Sequence, residues 1–340
     1  MEIIVFYGSI ILIITLFTYL FSKFTHLKDD KKKSSHKNFV KNSRTPVLIG
    51  GILIFLVIII FLENLFFLKL LFCLILLLGI FSDKNLINSP KTRFFLQIGI
   101  LFILFYNYQI FVEDLRIGTF NYFLENLYFK LIFTIFCVLV LINGANFIDG
   151  VNTLASGYFL LVIIFLYQLM PATNNELISF EFLEVIIFVL TVITVFNFFD
   201  YIYLGDSGAY ILGTLTGMLS ILTVNENSAV SPYFIALILW YPAYETLFSI
   251  IRKLVQKKSI MKPDNNHLHQ LIYLFLCKKI NKKIFCNSLT GISINIYNFI
   301  IIYFGFINHY NTKLLLILIL ICISIYNLTY LFLKKNFLNH

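Results

Sequence analysis

Long apolar runs separated by short polar connections dominate the chain. The runs do not alternate apolar and polar residues, so they predict helices and not the strands of a β-barrel. A helix needs about 20 apolar residues to cross the roughly 30 Å of hydrocarbon in a bilayer. Eleven runs are predicted to be transmembrane helices, and ten is the alternative count because several runs are short. They cover residues 3–22, 47–62, 65–81, 94–112, 127–145, 154–170, 183–199, 207–224, 229–251, 291–307 and 312–333.

The basic residues between these runs predict the orientation of the chain. Of the 26 Lys and Arg residues, 22 lie in alternate connections: eight in 23–46, three in 82–93, nine in 252–290 and two after residue 333. The others are Lys69, Arg116, Lys130 and Lys313. Short loops rich in Lys and Arg stay in the cytoplasm. The N-terminus is therefore predicted to lie outside the cell and the C-terminus inside.

Composition excludes a soluble globular domain, because 59% of the residues are hydrophobic. The net charge of +9 does not indicate nucleic-acid binding, since the basic residues lie at span ends, where topology and anionic lipid head groups account for them. The five cysteines form no CxxC pair and are expected to be reduced. The first apolar run has no basic leader and no small-residue cleavage site, so it is expected to be a retained span.

The chain is predicted to be one transmembrane domain over residues 1–340, because no Pro- or Gly-rich linker divides it. The predicted cytoplasmic side consists of the loops 23–46, 82–93, 143–156, 197–206 and 252–290. The residues best suited to chemistry all fall on this side: Asp83, Asp149, Asp206, His267 and His269. One face of the protein is therefore expected to be the active face.

Three carboxylates are expected to meet at this face. Asp83 stands where a span emerges before a basic turn, Asp149 follows another span, and Asp206 opens a third. Three carboxylates at one interface repel each other unless a cation holds them, and hard oxygen ligands beside phosphates suit Mg²⁺ or Mn²⁺. The structural alternatives are that Asp83 only ends a helix and that Asp206 only caps one.

Polar side chains recur every three residues after the fifth predicted span, at Asn143, Asn146, Asp149 and Asn152. Such spacing places side chains near one face of a helical turn. Gly150 in the same stretch permits a close approach of the backbone. A binding role is favoured over a purely structural one.

The largest cytoplasmic loop and the span before it contain further candidates. Glu245 lies in the last turns of that span, where an ionisable group is costly and by default functional. His267 and His269 follow Pro263 and Asp264 in the loop. A spacing of two residues argues against a zinc site on one helix face, whereas on an extended or turn segment both rings could reach a diphosphate.

Together these stretches resemble the polyprenyl-phosphate N-acetylhexosamine-1-phosphate transferases of glycosyltransferase family 4, which include the enzymes that start O-antigen, common-antigen and teichoic-acid synthesis. Asn146, Asp149 and Gly150 match the family's N-x-x-D-G, and the stretch from Gly205 to Gly208 matches its G-D-x-G. Each motif alone is weak, but their ordered combination is specific. The resemblance extends to Thr45-Pro46, Gly50-Gly51, Pro242, Glu245-Thr246-Leu247, Arg252 and the His-x-His loop.

The resemblance implies transfer of a sugar-1-phosphate, expected to be N-acetylhexosamine-1-phosphate, from a UDP-sugar to undecaprenyl phosphate with release of UMP. This reaction would initiate a surface polysaccharide such as O-antigen at the bacterial inner membrane. Mg²⁺ is the implied cofactor, with Mn²⁺ as the alternative. Membrane lipids are expected partners, nucleic acid is not, and a homodimer is left open.

The resemblance also implies roles for individual residues. Asp206 is the expected direct metal ligand, and Asp83 helps position the metal and the lipid phosphate. Catalytic roles are expected for Asp83, Asp149, His267 and His269. Contacts to the nucleotide-sugar are expected from Asn143, Asn146 and Asn152.

Several positions depart from the family pattern. Ser82 replaces the first Asp of a paired-Asp motif, Asn152 replaces a second Asp found in some members, and Gln270 replaces a third His. Asn265 replaces a frequent Arg before the histidines. A catalytically impaired relative with a binding or assembly role is therefore one alternative. A transporter or flippase is a less favoured one, because transporters place their ionisable groups near the bilayer midplane.

Overall fold

The structure is a computed structural model that describes residues 2–23, 46–62, 65–170, 177–259, 266–279 and 283–337. Within these ranges the chain forms fourteen α-helices and one pair of short strands. The helices are α1 (Glu2–Ser22), α2 (Gly50–Phe61), α3 (Phe66–Asp83), α4 (Pro90–Tyr108), α5 (Gly118–Leu124), α6 (Leu127–Ile148), α7 (Leu154–Leu169), α8 (Phe180–Phe198), α9 (Gly205–Glu226), α10 (Pro232–Ile238), α11 (Trp240–Val255), α12 (Leu268–Lys279), α13 (Lys283–Ile307) and α14 (Thr312–Phe337). The strands are β1 (Val47–Leu48) and β2 (Ile202–Tyr203). Thr45, Pro263, Asp264, Asn265 and most of the loop 23–46 lie outside the described residues.

The helices confirm an all-α, polytopic membrane protein. Each of the eleven predicted spans contains a helix at the expected place. Among the described residues, seven helices are long and apolar enough to cross a bilayer, and the bent pair of α10 and α11 would make an eighth span. The helices α2 and α7 are apolar but shorter, with 12 and 16 residues. The count of eleven spans stays a prediction.

The predicted span 229–251 is not one straight helix. Its two parts, α10 and α11, are bent by 70°. Pro242 explains the break, because it has no N–H to donate to the carbonyl of Ile238 one turn earlier. That carbonyl accepts a hydrogen bond of 2.8 Å from the Tyr158 hydroxyl instead. A side chain from a neighbouring helix thus satisfies the backbone where the span is broken.

The candidate site is built around α9, which is buried over almost its whole length. Glycines on two neighbouring helices allow close contact with its first turn. A Cβ added at Gly79 of α3 would overlap the Cα of Ser207, and one added at Gly51 of α2 would lie 2.5 Å from the nitrogen of Gly208. The start of α9 is therefore held against α2 and α3 with little room for movement.

The strands β1 and β2 fix the same end of the bundle. They are parallel, with Val47 opposite Ile202 and Leu48 opposite Tyr203. The pair ties the segment before α2 to the segment before α9, so these two helices begin side by side. The sequence did not predict the strands, because two residues are too few to show an alternating pattern.

Arg116 joins three connections at the opposite end of the bundle. Its guanidinium donates to Ser228 O at 3.0 Å, Val230 O at 3.3 Å, Tyr310 O at 3.4 Å and Thr312 Oγ1 at 3.2 Å. This arginine is one of the few basic residues on the predicted outer side, and these contacts give it a structural role there.

The buried apolar residues of the described chain form one continuous core from Ile14 to Leu333. Large apolar side chains such as Leu12, Phe304 and Leu328 are exposed on α1, α13 and α14. Outward-facing apolar surface of this kind suits contact with lipid chains. The assignment of residues 1–340 to one domain stays a prediction.

Candidate active site

Asp83, the last residue of α3, lies beside the first turn of α9. Its Oδ1 accepts a hydrogen bond from the backbone N–H of Asp206 at 2.9 Å, and its Oδ2 accepts one from Ser207 at 3.3 Å. The first N–H groups of a helix lack partners within the helix and carry partial positive charge. Asp83 therefore caps α9 from another helix, in addition to ending α3.

Gly205 makes this cap possible. Its φ of +68° lies in the left-handed region, which glycine adopts without strain. A Cβ at this position would lie 2.7 Å from Asp83 Oδ2. Any larger residue would strain the backbone and displace the carboxylate. The left-handed backbone and the contact with Asp83 thus explain why the first residue of the G-D-x-G stretch is glycine.

The Asp206 side chain does not cap its own helix but contacts Arg93 and Ser82. Arg93 Nη1 lies 3.1 Å from Asp206 Oδ2. The Ser82 hydroxyl donates to the same carboxylate oxygen and accepts a hydrogen bond from Arg93. The side chains of Arg93 and Asp206 are 25% and 23% exposed, so water partly screens the pair. Two carboxylates and one guanidinium therefore share this corner of the protein.

The polar residues after the fifth span lie where α6 ends. Asn143 and Asn146 are in its last turns, and Asp149 is the residue at its C-cap. All three are partly exposed. Asn143 Nδ2 donates back to Leu139 O at 2.7 Å. The spacing of three residues does place these three at one end of one helix.

Asn152 does not continue that helix face, because α6 ends at Ile148. Its side-chain Nδ2 donates to Asp200 Oδ1 at 2.7 Å and to Ser288 Oγ at 3.4 Å. Its backbone N–H donates to Asn287 Oδ1 at 3.3 Å, and the residue is only 4% exposed. These contacts give Asn152 a structural role between three parts of the chain. Its nucleotide contact stays a prediction.

The backbone around Asn152 is held by further amides. Thr153 and Asp200 both have left-handed backbone angles, with φ of 63° and 60°. Asn197 Oδ1 accepts from the Thr153 N–H, and its Nδ2 donates to Ile202 O at 2.8 Å. Asn295 on α13 donates to Thr153 O at 2.8 Å. The turn after Asp149 is therefore fixed by side chains from α8 and α13.

The two predicted histidines stack on each other. Their ring centroids are 5.5 Å apart and nearly parallel, at 15°. His267 immediately precedes α12, and its Nδ1 lies 2.8 Å from Glu245 Oε1. His269 lies in the first turn of α12, so the two rings meet although only one of them belongs to the helix.

His269 links the histidine loop to the N-x-x-D-G stretch. The residue is fully buried, and neither ring nitrogen has a hydrogen-bond partner within the described chain. Its Nε2 lies so close to Gly150 that a Cβ there would overlap it. Burial disfavours the charged ring and lowers the pKa of His269 to about 3. The residue is therefore a neutral imidazole beside Asp149-Gly150.

Gln270 has a clear role where the family pattern has a third His. Its Oε1 accepts the backbone N–H of His267 at 3.1 Å, while its own N–H donates to His267 O at 3.1 Å. The first of these bonds is the half of a capping box in which a Gln side chain satisfies the backbone N–H before the helix, and the second is a backbone turn. Gln270 thus fixes the first turn of α12 and both histidines with it.

Sequence reasoning missed several residues that shape the site. The sequence shows Arg93 only as part of the basic turn after Asp83, and it has no motif that marks Asn197 or Asp200. A basic residue at the start of the span after Asp83 was the available signal for Arg93. No local pattern distinguishes Asp200, whose partner Asn152 is 48 residues away.

The oxygen donors at α3 and α9 determine which metal could bind there. Within the described ranges, no group of three His, Cys, Asp or Glu side chains is arranged to hold a metal ion. The prediction of three carboxylates around one cation is therefore wrong there: Asp83 and Asp206 meet, and Asp149 ends a different helix. Mg²⁺ commonly uses one or two carboxylates and completes its shell with water and phosphate oxygens. Asp83 and Asp206 fit such a shared site, but not a cage of protein ligands alone.

Part of the chain is similar to a known protein family. Residues 65–224 match the family model described as glycosyl transferase family 4. The chain is similar to this family over a little under half of its length. The match runs from α3 to α9 and so includes Asp83, Asp149 and Asp206. The histidine loop lies beyond the matched residues.

Three curated proteins are similar to parts of this chain, and all three are named as N-acetylglucosamine-phosphate transferases. A Bacillus subtilis protein described as "Probable undecaprenyl-phosphate N-acetylglucosaminyl 1-phosphate transferase" is 26% identical over 211 residues, which cover 59% of this chain and 56% of the relative. The decaprenyl-phosphate N-acetylglucosaminephosphotransferase of Mycolicibacterium smegmatis is 24% identical over 41% of this chain and 39% of the relative. The undecaprenyl-phosphate alpha-N-acetylglucosaminyl 1-phosphate transferase of Thermotoga maritima is 31% identical over 21% of this chain and 23% of the relative. The chain thus spans between about a quarter and about half of the lengths of these relatives.

Proposed function

We propose that the protein transfers a sugar-1-phosphate, with N-acetylhexosamine-1-phosphate as the expected group, from a UDP-sugar to undecaprenyl phosphate. The main support is a cluster at one end of the bundle. There Asp83 accepts a hydrogen bond from the backbone of Asp206, and Arg93 lies 3.1 Å from the Asp206 carboxylate. The similarity to the family model supports the reaction class. The relatives' names support a polyprenyl phosphate acceptor and an N-acetylglucosamine group.

The proposed reaction is one phosphoryl transfer. An oxygen of the lipid phosphate attacks the β-phosphorus of the UDP-sugar, and the bond from that phosphorus to the bridging oxygen breaks. The lipid then carries a sugar diphosphate, and UMP leaves with the bridging oxygen. The attacking phosphate oxygen is already anionic, so the reaction does not require a general base. Replacement of the family's aspartate by Ser82 therefore does not by itself prevent the reaction. What the protein must supply is positioning and charge neutralisation.

The residues around the start of α9 suit that task. Asp206 and Asp83 would hold Mg²⁺, which neutralises phosphate charge when bound. Arg93 would pair with phosphate oxygens, because a guanidinium forms strong charge-assisted hydrogen bonds to them. Asp149 and the stacked histidines form the second group of candidate catalytic residues. Asn143 and Asn146, one to two turns before Asp149, remain the candidates for the nucleotide.

The proposed setting is the bacterial inner membrane, with eleven spans and the site on the cytoplasmic side. The placement of 22 of the 26 basic residues supports this orientation. It can be tested with a membrane-impermeant thiol reagent in a variant without the native cysteines. Ser228→Cys, exposed at the end with Arg116, should react in intact cells, whereas Asn85→Cys, exposed beside Asp83, should react only after permeabilisation. The reverse pattern would overturn the orientation.

UMP release from a panel of UDP-sugars with undecaprenyl phosphate and Mg²⁺ tests the function. UDP-N-acetylglucosamine is the first donor to try, and initiation of a surface polysaccharide such as O-antigen is the proposed context. Asp206→Asn should lower the rate by about 100-fold or more. Glu226→Gln, at the far end of α9 and exposed, is the matched control and should keep the wild-type rate. A folded wild-type protein that releases UMP from no UDP-sugar would contradict the proposed function.

The serine at position 82 supports a second candidate function, that of a catalytically impaired relative. In place of a third carboxylate, this position has a hydroxyl that bonds both Asp206 and Arg93. A catalytically impaired relative with a binding or assembly role would show no UMP release until Ser82→Asp restores it. Activity of the wild type would reject this second function.

A further inference from the structure

Glu245 is an ionisable residue beside the histidine loop, and it lies outside the two groups of residues proposed to carry out the transfer. It lies on α11, and its side chain is fully buried. Removing a carboxylate from water costs several kcal/mol, so a buried one needs partners. Each oxygen has one: Oε1 lies 2.8 Å from His267 Nδ1, and Oε2 accepts a hydrogen bond from the Tyr326 hydroxyl at 2.8 Å.

The contact with Glu245 determines which atoms of the His267 ring can take part in chemistry. A carboxylate only accepts hydrogen bonds, so Nδ1 must carry a hydrogen. In the neutral ring the lone pair then lies on Nε2, and in the charged ring both nitrogens carry hydrogens. The Tyr326 hydroxyl holds the carboxylate from the other side. The tautomer and the orientation of His267 are therefore both determined by α11 and α14.

The backbone of His267 is held as firmly as its ring. Gln270 accepts its N–H at 3.1 Å. The carbonyl of the preceding residue, Asn266, accepts from Arg252, which lies on α11 two turns after Glu245. Arg252 also donates to the Tyr330 hydroxyl on α14 at 3.2 Å. The same two helices thus fix the side chain of His267 and the chain that leads into it.

We propose that Glu245 is a positioning residue for His267 in the sugar-phosphate transfer, and that Tyr326 supports it. This inference rests on the proposed function and adds a residue outside the match to the family model. Carboxylates behind metal-bound histidines fix the tautomer and the ring orientation, and their loss lowers metal affinity or activity roughly 10- to 100-fold, which sets the scale expected here. Glu245→Gln should lower kcat by that amount, with KM for the UDP-sugar little changed.

A double-mutant cycle separates positioning from a general structural role. If Glu245 acts through His267, Glu245→Gln should cause no further loss of kcat in a His267→Ala background. Equal losses in both backgrounds would overturn the inference. Glu245→Asp, which keeps the charge but shortens the side chain, should recover part of the rate lost in Glu245→Gln.

A matched pair of tyrosine variants controls for packing between α11 and α14. Tyr326→Phe removes the hydroxyl that holds Glu245. Tyr244→Phe removes a hydroxyl on α11 that forms hydrogen bonds of 3.1 and 2.8 Å with the Asn327 side chain on α14, whereas the hydroxyl that holds Glu245 is left in place. Only Tyr326→Phe should lower kcat. Equal effects of the two variants would show that packing, and not the position of His267, matters.

A readout that needs no substrate completes the test. Nitrogen NMR of histidine-labelled protein distinguishes a hydrogen on Nδ1 from one on Nε2, and His267→Ala identifies the signal. Wild type should show the hydrogen on Nδ1, and Glu245→Gln should show a mixture. An Nε2 hydrogen alone in the neutral wild-type ring would overturn the inference. Absence of UMP release from wild type would instead count against the proposed function, with the NMR result still informative.

Discussion

Asp83 Oδ1 and the backbone nitrogen of Asp206 are 2.9 Å apart, so the last residue of one helix holds the first turn of another. The two residues are 123 positions apart in sequence. One carboxylate therefore both stabilises α9 and sets the place of the Asp206 side chain. Stability and the proposed chemistry are therefore coupled at Asp83.

Substitutions at Asp83 should separate these two roles. Asp83→Ala is expected to lower the free energy of unfolding by about 1 kcal/mol, the usual loss for a helix cap, and to abolish UMP release. Asp83→Asn keeps an oxygen for one N–H group but loses the charge, so it should keep most of the stability and little of the activity. Thermal unfolding in detergent and UMP release measure the two effects. Lys84→Ala, at the exposed next residue, is the control. An Asp83→Asn variant as active as wild type would refute the role.

Gly79 should tolerate no larger residue. A Cβ there would overlap the backbone of Ser207, which cannot move without shifting the start of α9. Gly79→Ala should therefore lower both the unfolding temperature and the activity. Gly99→Ala is the matched control: it lies in α4 with nothing within 4 Å of the added Cβ, and alanine favours a helix over glycine by about 1 kcal/mol. Equal stability of the two variants would show that the contact between α3 and α9 is looser than described.

Asn152 and Asp200 should be exchangeable only together. Asn152→Asp would place two carboxylates within hydrogen-bonding distance in a buried cluster and should destabilise the protein by roughly 1–3 kcal/mol. Adding Asp200→Asn restores one amide and one carboxylate, so the double variant should unfold close to the wild-type temperature. Thermal unfolding of both single variants and of the double variant measures the coupling. Additive losses would argue against a direct pair.

Burial of His269 should make stability depend on pH. The folded pKa is about 3 and the ordinary value is 6.5, so between these values the unfolded chain binds a proton that the folded protein does not. Burial of the neutral ring therefore costs no stability above pH 6.5. As the pH falls below 6.5, the free energy of unfolding decreases by about 1.4 kcal/mol per pH unit. His269→Gln should show a weaker loss than wild type when the pH falls from 7.5 towards 5, as measured by thermal unfolding at each pH. If the unfolding temperatures of wild type and His269→Gln fell in parallel with pH, burial of His269 would not be the cause of the pH dependence.

The sequence predicted the fold class and part of the site for identifiable reasons. Long apolar runs indicated the helices, and Asp83 and Asp206 could be paired because both lie at span ends on the same predicted side. The cap between them could not be predicted, since it depends on the left-handed backbone at Gly205 and on how closely α3 and α9 pack. The bond between Asn152 and Asp200 was hidden for a similar reason: it forms only when two distant turns fold together. The sequence predicts Asn152 on the same helix face because its spacing of three continues that of Asn143 to Asp149, but Gly150 is a helix-stop signal and α6 ends at Ile148.

Almost complete burial of α9 has a consequence for how the protein is made. This helix is the least apolar of the seven long candidate spans in the described chain, because it carries polar groups such as Asp206, Thr214 and Ser220. A segment of this kind partitions poorly into lipid alone. We expect it to integrate only when earlier spans already offer a groove, so assembly in the translocon should depend on α2, α3 and α6. The segment that carries the proposed metal ligand Asp206 is then the one whose entry into the bilayer most needs its neighbours.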